Sequence, residues 1–188
     1  MGGGSRGING DFANDSMQYI IETALIGETN NANYQINLKD GSGFLSQSNS
    51  QTLHFQSLSS ILSKHKFNAN FIKIDTDGFD FKVMRSGLDF IKTYKPSLYF
   101  EWDRAFLEAQ DEDYLSIFVA LQKCGYKEAV IFDNFGSMLC VLNLLDKRNF
   151  RLLSRYTTHS NHNIYYYDVL LLGEDLRIDE FVAYFYGD

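Results

Sequence analysis

The chain has 188 residues, 45% apolar, 15% aromatic and 22% charged, enough for one domain with its own core and too apolar for a disordered segment. A net charge of -7 and a pI near 5.0 argue against a basic face for nucleic acid or an anionic membrane, so a small or neutral partner is expected. Two cysteines, Cys124 and Cys140, sit in apolar segments without metal-ligand spacing and read as free thiols of a cytoplasmic protein, and no apolar run is long enough for a membrane span.

MGGGSRGING reads as a leader or cut end, disordered over residues 1–13, with the domain running over 14–188. MQYIIETALIG predicts a strand that stops at Gly27, and NYQINLKDGSGFLS predicts a hairpin turning at Asp40-Gly41. The Ser/Gln/Asn stretch from Ser46 to Thr52 is then a surface loop, and SLSSILSK a short helix capped by Ser57.

FIKIDTDGFDFKVMRSG holds the chemistry. NFIKID is a buried strand that ends in acid, and a helix follows with Phe81, Met84, Leu88 and Ile91 on one face until Lys95-Pro96 stops it. PSLYFEWD is a second strand ending in acid, DYLSIFVALQKCG a second helix closed at Gly125, and KEAVIFD a third strand. Strands joined by crossover helices pair in parallel, so the fold class is α/β with a doubly wound, mostly parallel sheet. An antiparallel strand, YYYDVLLLG, closes its edge near the C-terminus, and DEFVAYFYG forms a last helix. Ligands of such sheets sit beyond the carboxyl ends of the strands, where Asp75, Glu101 and Asp133 fall.

An acid at such a position also serves as a helix cap, the reading of Asp80 and Asp113, or as a turn former, the reading of Asp133. His159 and His162, in HSNH, have metal-like spacing but no third ligand, and read as a solvated loop. Trp102 has two readings, stacked on a substrate ring or packed in the core.

Lys73, Ile74, Asp75, Thr76, Asp77, Gly78, Phe79 and Asp80, followed by Lys95, Pro96 and Glu101, resemble the two signature blocks of the FkbM family of S-adenosylmethionine-dependent methyltransferases, and ETALIG around Ala24 is similar to that family's third strand. The resemblance runs from about Asn14 to the end. It implies a Rossmann-like methyltransferase fold and methyl transfer to a sugar or natural-product hydroxyl, so that the partner is a small-molecule or glycan acceptor. It also implies Asp75 and Asp77 as catalytic acids, Ala24 and Asp75 at the S-adenosylmethionine, and Glu101 and Trp102 as substrate-side or supporting residues. The family's glycine-rich cofactor turn is not matched, so the reading is of a domain whose N-terminal strands are truncated, which binds the cofactor poorly and self-associates through an exposed sheet edge. Asp75-Thr76-Asp77-Gly78 also resembles the start of haloacid-dehalogenase-like phosphatases, with Asp175 and Asp179 imitating their late Mg²⁺ motif. A third reading is a non-catalytic interaction module on a methyltransferase scaffold.

Overall fold

The structure, a computed structural model, describes residues 20–28, 32–39, 42–159 and 163–187. The expected leader over 1–13, the start of the first expected strand, the Asp40-Gly41 turn and His162 lie outside the described residues.

Of the expected first strand, residues 20–25 have no regular structure, and Ile26 alone pairs, in a parallel bridge with Gln56. Two backbone hydrogen bonds hold it, Gly27 N–H to Gln56 O at 3.0 Å and Gln56 N–H to Leu25 O at 2.8 Å. Strands β1 (Ala32–Lys39) and β2 (Ser42–Leu53) form the antiparallel hairpin. The stretch from Ser46 to Thr52 therefore belongs to a strand with a bulge in it, not to a loop. Backbone pairing to β1 is indifferent to polar side chains, so composition misleads there. Helix α1 (Leu58–Lys64) is capped as expected, Ser57 Oγ accepting from Ser60 N–H at 3.1 Å.

After β3 (Phe71–Ile74) the single helix expected before Lys95 is two, α2 (Asp80–Arg85) and α3 (Leu88–Tyr94). The break at Ser86-Gly87 is where α1 docks. Ser86 Oγ accepts from Leu58 N–H at 3.0 Å, and a β-carbon on Gly87 would lie 2.8 Å from Leu58 Cδ2. Then come β4 (Ser97–Trp102), a short α4 (Arg104–Ala109) that the periodicity did not announce, and α5 (Ser116–Lys123). The chain closes with β5 (Glu128–Asp133), β6 (Met138–Asn143), α6 (Lys147–His159), β7 (Tyr167–Leu171) and α7 (Ile178–Tyr186).

The main sheet has the order β3-β4-β7-β5-β6, and only β3 and β4 pair in parallel. This corrects the expectation of a mostly parallel sheet. β3, β4 and β5 do run the same way, as their crossover helices require, but β7 inserts between β4 and β5 and pairs antiparallel with both. The strand expected at the edge is thus central. Val169 and Leu171 pack on one face and Leu170 on the other, which a central strand needs and an edge strand does not. Antiparallel β6 takes the edge beside β5.

Leu98, Phe100 and Trp102 of β4 bury one face of the sheet against Phe81 and Met84 of α2, Ile91 of α3, Ile117 and Phe118 of α5 and Phe150 of α6. Val130, Phe132 and Leu170 bury the other against Phe181 and Val182 of α7. The crossovers between co-directional strands all lie on the first face among the described residues, so the fold is mixed α/β around a five-stranded sheet. No helix of the described residues is long and apolar enough to cross a membrane. Cys124, buried, and Cys140, half-buried, are both free.

Candidate functional site

Three co-directional strands bring their carboxyl ends to one rim of the sheet, and the acids collect there. β3 runs into the turn Asp75-Thr76-Asp77-Gly78, in which Asp77 (φ 46) and Gly78 (φ 90) are both left-handed. A β-carbon on Gly78 would lie 2.7 Å from Phe106 Cβ and 2.8 Å from its carbonyl, because the turn rests directly on α4. Asp80 shapes the turn: its Oδ2 accepts from Thr76 Oγ1 at 3.0 Å and from Gly78 N–H at 3.3 Å. This corrects the expectation of a helix cap: Phe79 holds the cap position of α2, without a side-chain bond, and Asp80 lies inside the first turn. Its Oδ1 has no partner, and burial pushes its carboxyl above the usual range.

Asp75 is exposed and ion-paired with Lys73 at 2.9 Å. Asp77 and Asp75 both line a cleft of about 580 Å³ whose far wall is Ala24 and Ile26, with Phe55, Phe79 and Gln110 along its length. The structure thus brings Ala24, Asp75 and Asp77 together. Glu101, at the end of β4, stands behind this cleft. Its Oε1 is buried without a partner, and its pKa is pushed up to about 8, by burial first and then by the like charges of Asp80, Asp103, Asp75 and Asp77.

Trp102 takes the second of its two readings. It is 2% exposed, its indole N–H donates to Tyr114 O at 2.8 Å, and it packs on Phe118, Phe150 and Tyr167. Side chains alternate along a strand, so Glu101 and Trp102 point to opposite faces. Asp133 is the turn former expected, accepting from Phe135 and Ser137 N–H at 2.9 Å each, whereas Asp113, expected as a helix cap, accepts from Leu115 N–H at 3.0 Å in the turn ahead of α5, whose cap position is Leu115.

Four features were not read from the sequence. Asp103 caps α4, accepting from Ala105 and Phe106 N–H, and burial raises its carboxyl too. Asp168 lies opposite Glu101 in the register, and the Tyr99 hydroxyl donates to it. Lys82 donates to Tyr34 OH at 3.0 Å and Gln110 O at 3.1 Å, under the rings of Tyr34 and Phe79. Arg85 grips Glu112 at 2.7 Å through two nitrogens and Glu28 at 2.9 and 3.1 Å. Lys82 and Arg85, one helical turn apart on α2, fasten the hairpin and the segment before it as walls of the cleft. That spacing was the only sequence signal.

The phosphatase pattern does not assemble. β7 runs against β3, so Asp175 and Asp179, beyond its end, lie at the opposite rim from Asp75. No cluster of three or more metal-ligating side chains occurs among the described residues.

The chain is thus a mixed α/β protein whose cleft and acidic rim lie at the carboxyl ends of its strands, the place where sheets of this kind hold ligands. A family model described as Methyltransferase FkbM domain matches residues 13–128, and the chain belongs to that family. The match takes in both signature blocks and stops at Glu128, the first residue of β5, whereas the resemblance was read to the end of the chain. No curated protein and no solved structure matches.

Proposed function

We propose that the protein is an S-adenosylmethionine-dependent methyltransferase that methylates a hydroxyl of a sugar or another small natural product, on a Rossmann-like scaffold. The observation that carries this reading is the cleft in which Ala24, Asp75 and Asp77 meet, inside the span matched by the family model. Its size, aromatic walls and carboxylates fit a cation that carries an adenosine, and they support cofactor binding despite the unmatched glycine turn. Ala24 and Asp75 would hold the cofactor, which supplies an electrophilic methyl group when bound.

Asp75 and Asp77 orient the acceptor hydroxyl and take its proton. Glu101 keeps its own proton at neutral pH and becomes a proton acceptor only as pH passes about 8. Trp102 supports from the core, by fixing β4.

Calorimetric titration of the 188-residue chain with S-adenosylmethionine tests this. Saturable binding is expected, weakened about tenfold in Asp75→Asn with an unchanged thermal melt. A flat titration of the wild type would remove the cofactor, and with it the methyltransferase reading.

We also propose self-association along β3, which has no further strand beside it among the described residues. Sedimentation at rising concentration should shift towards a dimer. A strict monomer throughout would sink this second proposal and leave the first intact.

A further inference from the structure

A second cavity, of about 310 Å³, lies at the opposite rim of the sheet, where β4 and β5 begin and β7 ends. It is built around Lys95. This residue ends α3 in the left-handed conformation (φ 49), and its ammonium lies over the Tyr126 ring, 5.8 Å from the centroid. Gly125 (φ 101) makes the room, because a β-carbon there would collide with Lys95 Nζ.

The surrounding backbone is held from two sides. Tyr126 OH donates to Pro96 O, and Gly173 N–H donates to Ser97 Oγ at 2.9 Å. A β-carbon on Gly173 would sit 2.7 Å from Lys95 O. These contacts fix the backbone from which the Lys95 side chain reaches over the Tyr126 ring.

Lys127, Glu128 and Glu174 line the same cavity, which gives it two ammonium and two carboxylate groups. None of the four forms an ion pair among the described residues. Leu172, Leu176 and Ile178 supply an apolar wall. A small anion would meet the two glutamates, and a small cation the two lysines. A ligand with both charges and a short apolar group satisfies the whole lining.

We propose that this cavity is a second binding site, for a small zwitterion of the α-amino-acid type with an aliphatic side chain. The carboxylate faces Lys95, the ammonium faces Glu128 and Glu174, and the side chain packs on Leu172 and Ile178. The proposal is independent of the methyltransferase reading, since the two clefts occupy opposite rims.

The test is titration of the full chain with L-leucine, followed by amide chemical shifts, with isovalerate and isoamylamine as half-ligands. Saturable binding of leucine is expected, with each half-ligand about tenfold weaker and Lys95→Met about tenfold weaker for leucine. If Lys95→Met does not fold, Glu174→Gln on the exposed rim decides: it should weaken leucine and spare isovalerate. No saturable binding, wild-type affinity in Lys95→Met, equal affinity in Glu174→Gln, or isovalerate binding as well as leucine would each overturn the site.

Discussion

Gly78→Ala should lower stability by about 3 kcal/mol in urea unfolding, a large loss for the addition of a single methyl group. Two physical terms add. The residue sits at φ 90, a conformation that L side chains rarely adopt, and the new β-carbon would lie 2.7 and 2.8 Å from the Cβ and the carbonyl of Phe106. Those atoms include the backbone of α4, so no flexible side chain can swing away. Gly136 provides the comparison. It has φ 81, but a β-carbon there would meet nothing within 4 Å, so Gly136→Ala carries the conformational penalty alone, about 1 kcal/mol. Equal losses in the two variants would mean that the contact with α4 contributes nothing. Because the Gly78 turn carries Asp75 and Asp77, Gly78→Ala should also weaken any ligand of the cleft more than its stability loss requires.

Glu101→Gln should stabilise the protein at pH 8.5 by roughly 2 kcal/mol and have little effect at pH 4, a change of sign-definite slope. The ordinary glutamate value is 4.5, and in the folded protein it is pushed up to about 8. Below 4.5 both folded and unfolded chains hold the proton, and the site carries no penalty. Between 4.5 and 8 the unfolded chain releases its proton while the folded chain keeps it, so stability falls as pH rises. Above 8 the penalty is complete and constant. Asp75, Asp77, Asp80 and Asp103 supply the like charges, and Tyr166 faces the same carboxyl. All five remain in the variant, so the difference between the two stability curves isolates Glu101. The partial exposure of Glu101 reduces the effect below the full shift. Parallel curves for wild type and variant from pH 4 to 8.5 would show that Glu101 titrates as an ordinary glutamate.

Both effects arise at one rim, and they bear on how the rim works. A turn locked by Asp80 and Gly78 presents Asp75 and Asp77 at fixed positions, while Glu101 behind them stores a proton. The rim combines exposed, ion-paired Asp75 with half-buried Glu101, whose Oε1 has no partner, so neighbouring carboxylates there meet different surroundings.

Local chemistry was legible in the sequence. Ser57 capping α1, the stop at Lys95-Pro96, the turn at Asp133 and the strand ends at Asp75 and Glu101 depend on residues within a few positions of one another, and short-range hydrogen bonding decides them. The two signature blocks likewise carried the family, because their residues build one contiguous turn and the strand beside it. Only the tertiary structure decided that β7 enters between β4 and β5, since strand order depends on which faces become buried and leaves no local mark beyond an unbroken run of Val169, Leu170 and Leu171. It also decided that Trp102 belongs to the core and that Glu101 holds its proton to about pH 8: the first follows from the alternation of β4 against α5 and α6, the second from burial first and then from four carboxylates brought near it by the fold. Proton affinity and burial are set by neighbours in space, and those neighbours are far apart along the chain.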